Sequence, residues 1–198
     1  MALKNSKGNA YRTISPSDER KWLKEHLAKI KDRIICASRG NHEERSVRDS
    51  DLDPLETLMD EFGIPYSPAG MFLKLAVGGD GGDKTKPLVY TSYILHGFGG
   101  GRMAGAPLNN VTKLTSVIAA DVYIMGHTHK PTVHEDSYYV ADLNNNCLLE
   151  RQRLYVISGS FLAYAEYAET KGMTPTSRRF PVVKFDGRHR GVSYESGP

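Results

Sequence analysis

Cysteine is scarce in this chain, with two in 198 residues, Cys36 and Cys147. A disulfide-stapled secreted scaffold uses many more, so both are expected to be small buried thiols in a reducing compartment, which makes the cytoplasm the default location. No apolar run approaches the ~18 residues that a membrane helix needs, so no membrane partner is expected. The opening stretch MALKNSKGNAYR lacks an apolar segment and does not read as a secretory signal. Repeats and dividing linkers are also missing, and a single domain over residues 1–198 is expected. Charge of one sign is not in large excess: 26 basic residues face 23 acidic ones, for a net charge of +3 and a pI near 8.8. That balance admits an anionic substrate but lacks the basic stripe that would argue for nucleic acid by itself.

What the sequence does hold is enough apolar material for one core, at 39% hydrophobic and 25% charged residues. Ser15-Pro16-Ser17-Asp18 has the order of a helix start, and Trp22, Leu23, Leu27 and Ile30 follow at helical spacing as its buried face. Arg33–Ser38 reads as a short apolar strand ending at Gly40-Asn41-His42-Glu43, with a polar turn after it. Asp53-Pro54 opens a second helix that Gly63 closes. From Met71 the period changes to two: Met71–Val77 and Leu88–Leu95 read as strands around a glycine-rich connection, 78–83. A helix is expected near 108–119, then the buried strand Asp121–Met125. Thr132–Leu143 and Cys147–Ser158 pair around Asn144-Asn145-Asn146. A helix is expected near 160–170, and a last hairpin, Phe180–Phe185 with Val192–Glu195, turns at Asp186-Gly187. Strands mixed with helices imply a layered α/β fold.

Three apolar strands run directly into glycine-flanked clusters of metal-capable residues: Asn41 with His42, then His96, then His127 with His129. In an open α/β sheet, ligands bind beyond the carboxyl ends of the strands, so three loops distant in sequence can serve one pocket. Imidazole nitrogens and a carboxamide oxygen suit zinc, manganese, iron or nickel better than calcium or magnesium alone. Gly40-Asn41-His42-Glu43 resembles the GNH[D/E] motif of calcineurin-like metallophosphoesterases, and Gly126-His127-Thr128-His129 resembles their GHxH motif. His96 lies between them at a strand end, as that family's isolated histidine does. The resemblance spans residues 17–185. It implies a layered β-sandwich flanked by helices and the hydrolysis of phosphate mono- or diesters at a dinuclear centre. It further implies Asn41, His96 and His127 as ligands of one ion, His129 as a ligand of the other, and His42 facing the phosphate. Glu43 is then the carboxylate that orients His42.

The family pattern opens with D-x-H and G-D motifs, and neither is found in place here; no D-x-H occurs anywhere. The first strands of the fold are therefore expected to be missing, with one metal ion or none retained, impaired catalysis, and a sheet edge that invites a homo-oligomer. Arg102, after a triple glycine beside His96, reads either as a bidentate phosphate clamp or as a solvated loop arginine; Arg45 has the same two readings. The histidines at 26, 134 and 189 read as solvated, and the tyrosines at 155, 164 and 167 as packing. The rival functions are a nuclease of the same family, taking nucleic acid as substrate, and a non-catalytic binding scaffold derived from it.

Overall fold

The computed structural model describes residues 14–79, 86–100, 103, 105–161, 169, 172 and 174–197, and these form a mixed α/β structure. The chain divides into two compact units, Met1–Met71 and Phe72–Pro198.

In the first unit, α1 (Pro16–Ala28) starts as its sequence suggests: Pro16 stands in the first turn and the Ser15 hydroxyl accepts from the Asp18 amide. Leu23 and Leu27 pack into a small core around Leu58, Met59 and Ile64, but Trp22 and Ile30 are about half exposed. The expected apolar face is thus narrower, and Trp22 instead stacks on His26, with ring centroids 3.9 Å apart. The strand expected over 33–38 shrinks to β1 (Ala37–Ser38), because Lys31–Arg33 coils into a 3₁₀ turn and Ile35 stays exposed. The expected polar turn is a helix, α2 (Asn41–Ser50). Asp53 then caps α3 (Pro54–Phe62), and Gly63, at φ +67°, ends it in the left-handed region. β2 (Tyr66–Ser67) returns beside β1 in parallel.

The second unit is built on a five-stranded mixed sheet in the order β3-β4-β5-β7-β6, formed by Met71–Val77, Leu88–Leu95, Val122–Met125, Cys147–Ile157 and Thr132–Asp142 respectively. β4, β5 and β7 run parallel, whereas β6 is antiparallel to β7. The alternation of side chains along β5 and β7 divides the core into two layers. Tyr123, Met125, Tyr155 and Ile157 pack with Val111 and Leu114 from α4 (Gly105–Thr112) and the 3₁₀ turn Lys113–Ser116. Val122, Leu154 and Val156 face Val183, Phe185 and Val192 of the closing hairpin, β8 (Pro181–Phe185) and β9 (Val192–Ser196). Each such side chain fully buried contributes ~1.5–3 kcal/mol. The helix expected over 108–119 therefore starts earlier and tightens into 3₁₀ at its end. Cys147, at the tip of the β6–β7 ribbon, is exposed rather than buried, and Cys36 is half-buried. The expected helix near 160–170, with Tyr164 and Tyr167, falls largely outside the described residues.

Candidate metal centre

The first unit carries the asparagine motif at a strand-to-helix junction. Gly40, in extended conformation, is the N-cap of α2, so Asn41 and His42 occupy its opening turn. The Glu43 carboxylate reaches back to accept from the Gly40 amide at 3.1 Å, closing the first turn. The positive end of a helix dipole favours an anion nearby. Asn41 is half-buried and His42 exposed; Arg45 is exposed on the same helix.

Behind this junction lies a polar cluster that the sequence reading missed. Arg39 leaves β1 with its amide bonded to the Ser67 carbonyl at 3.0 Å. Its guanidinium donates from Nε to Asp53 Oδ2 at 2.7 Å and from Nη1 to Glu44 Oε2 at 3.1 Å. The Tyr66 hydroxyl donates to the same Asp53 oxygen, while Asp53 Oδ1 accepts from the amides of Leu55 and Glu56. Burial pushes the Asp53 carboxyl up, but Tyr66, Arg39 and the two amides together outweigh it and hold the carboxyl below its ordinary range. Burial, with the Asp53 contact second, pushes the Tyr66 phenol well up. The available signal in the sequence was an arginine directly before the motif and an acidic helix cap ten residues after it.

The second unit brings two of the expected ligands together. Leu95 of β4, Met125 of β5 and Ile157 of β7 share one row of the sheet, and His96, Gly126 and Ser158 follow in the next. The Gly126 amide donates to the His96 carbonyl at 3.0 Å, and the Ser158 amide to the Met125 carbonyl at 2.9 Å, extending the ladder to the carboxyl edge. A Cβ on Gly126 would stand 3.2 Å from the His96 oxygen and 3.4 Å from Ser158 Oγ, so the missing side chain leaves room between its neighbours. Here His96 Nε2 lies 3.1 Å from His127 Nδ1, the rings meeting edge to face at 72°.

The backbone works to hold that arrangement. His127 and His129 both adopt positive φ, 68° and 58°, and the Thr128 amide turns back onto the Gly126 carbonyl at 2.8 Å. A left-handed conformation costs a non-glycine residue of order 1–3 kcal/mol, and such strain clusters at functional sites. Between them Thr128 Oγ1 is buried with no hydrogen-bond partner among the described residues. Gly97 sits at φ +93°, where a Cβ would lie 2.2 Å from Met125 Cγ. Farther along the same loop, Asn110 of α4 ties down the Phe98 carbonyl at 3.2 Å. Desolvation first, and the charge of His127 second, push the His129 imidazole below its ordinary pKa, favouring the neutral, ligating form. Arg102 lies outside the described residues.

The donor set can be tested against an ion. Two nitrogens bound to one zinc-like cation at ~2.0–2.1 Å, with about 90–110° between them, lie about 2.9–3.4 Å apart, and the observed 3.1 Å falls inside that range. The same separation is that of a hydrogen bond between one protonated and one bare imidazole nitrogen. Among the described residues no group of three or more His, Cys, Asp and Glu side chains assembles as an ion site, so the second unit offers a two-imidazole pair. His26, His134 and His189 are exposed, and Tyr155 is buried in the core. No protein-family model, curated protein or solved structure matches the chain.

Proposed function

We propose that the protein is a metal-dependent hydrolase of phosphate mono- or diesters of the calcineurin-like kind, its layered sheet being the frame of that fold. The observation that carries this reading is the 3.1 Å approach of His96 Nε2 and His127 Nδ1 at the carboxyl ends of adjacent parallel strands. Within the second unit, His96 and His127 are proposed to ligate one divalent cation of the manganese, iron, zinc or nickel type, and His129 a second. Such an ion, when bound, polarises the phosphoryl oxygens and supplies a hydroxide at neutral pH. The second unit's own part is to present imidazole nitrogens from its sheet edge, and the first unit's is to carry His42 in the opening turn of α2. His42, in that same turn, would hold a proton for the leaving oxygen. Arg45 and Arg102 are the candidate phosphate cations.

The chain is further proposed to assemble through a sheet edge. Supporting this, the edge strand β6 runs eleven residues without proline and exposes Tyr139 and Val140, at 67% and 40%.

The functional test is turnover of an aryl phosphate and of a bis-aryl phosphodiester with added Mn²⁺, Ni²⁺ or Zn²⁺. Metal-dependent release of the phenol, lost together with metal content in His96→Ala and His127→Ala, is the expected result. Metal uptake without turnover would favour the non-catalytic binding scaffold instead.

A further inference from the structure

We infer that Arg39 is a positioning residue whose guanidinium sets how α2 presents Asn41 and His42. The inference rests on the phosphoesterase reading only for the role of those two side chains; the positioning itself stands apart from it. The sequence of α2, NHEERSVRDS, contains one aliphatic residue, Val47, and Ser46 is its one buried residue. Most helices in folded proteins are held by an apolar face, and α2 has almost none. Its place in the unit must come from polar contacts.

Arg39 supplies them from a fixed base. Its backbone is locked into the parallel β1–β2 register by the bond to Ser67, and its side chain is 17% exposed. One arm of the guanidinium grips Asp53, whose side chain is 1% exposed and is itself tied to the first amides of α3 and to the Tyr66 hydroxyl of β2. The other arm reaches Glu44, three residues into α2 after Asn41. A planar fork joining two carboxylates in fixed directions transmits orientation, which a lysine, with one rotatable ammonium, does not. The second contact of Glu44, to Arg48 Nε at 3.1 Å, is local to α2 and exposed, so it cannot anchor the helix to anything else. The motif's opening turn is therefore aimed by a residue outside the motif.

The test uses the full chain without metal or substrate. Glu44→Ala removes only the arm to α2 and leaves the buried Arg39–Asp53 pair intact, so the fold survives. Hydrogen–deuterium exchange should rise on the order of tenfold in peptides covering 43–50 while those covering 54–62 change less than about twofold. Arg39→Lys, whose single ammonium cannot hold both carboxylates in fixed directions, should likewise raise exchange over 43–50. In NMR spectra the His42 ring resonances should move in Glu44→Ala and return in Glu44→Gln, whose amide oxygen still accepts from Arg39; those of His26, on α1, should not move. Unchanged exchange over 43–50, equal loss of protection over 54–62, or no return in Glu44→Gln would overturn the assignment. None of these readouts depends on catalysis, so a protein without phosphoesterase activity leaves the inference decided either way.

Discussion

Gly97 and Met125 illustrate how little freedom surrounds the histidine pair. Gly97 follows His96 at φ +93°, and its Cα faces the fully buried Met125 side chain. Replacing it with alanine forces both a left-handed backbone on a residue with a Cβ and a 2.2 Å overlap, so Gly97→Ala should lower stability by about 2 kcal/mol or more in chemical denaturation. If the pair is the metal site, the same substitution should also weaken cation binding, because His96 shares its peptide bond with Gly97. His96→Ala and His127→Ala, in contrast, should leave the denaturation midpoint nearly unchanged while reducing Mn²⁺ or Zn²⁺ affinity by at least ~10–100-fold in calorimetry. At this scale the sequence was informative about residue types and silent about conformation. The glycine-histidine motif marked candidate ligands, but nothing in one-dimensional spacing shows that His127 and His129 are both left-handed or that Thr128 Oγ1 is buried with no hydrogen-bond partner among the described residues.

The polar helix α2 and its neighbour α3 show what the elements contribute. α3 was legible because its caps are chemical: Asp53-Pro54 at one end and Gly63 at the other. α2 was not, because it is held by hydrogen bonds from the Gly40 amide to Glu43 and from the Arg39 guanidinium to Glu44 instead of apolar side chains, and Gly40 has no side chain to advertise a cap. The apolar run Ile34-Ile35-Cys36 misled in the opposite direction: hydrophobicity suggested a longer strand, but only Ala37 and Ser38 have a partner strand to bond. The Asp53 hub makes the first unit sensitive to acid. Its carboxyl sits below the ordinary range in the folded state, so its stabilisation is complete above the unfolded pKa of about 4 and fades as pH falls through the folded value. Asp53→Asn should therefore destabilise the unit by ~3 kcal/mol at neutral pH and flatten the acid limb of its stability profile below pH ~4. An acid limb as steep in the variant as in the wild type would place the titrating group elsewhere.

For the whole molecule, the pattern of strands in the second unit followed from alternation and turn chemistry: the long β6–β7 ribbon around Asn144–Asn146 and the closing hairpin both match their sequence signals. Sheet order did not, since it depends on which strands neighbour one another across long crossovers, and no local signal sets β7 between β5 and β6. Because β6 ends the sheet with Tyr139 and Val140 exposed, light scattering is expected to find a dimer or larger assembly, with Val140→Lys shifting it toward monomer. A monomer at all concentrations would remove the assembly proposal without touching the site.

His96 and His127 are proposed to hold one divalent cation between them. X-ray absorption spectroscopy of the protein loaded with a single equivalent of Zn²⁺ or Co²⁺ addresses it directly. At least two imidazole ligands per ion are expected, with that signature falling when either His96 or His127 is replaced by alanine. An ion that fails to bind, or one whose imidazole scattering is untouched by both substitutions, would rule out a cation held by this histidine pair.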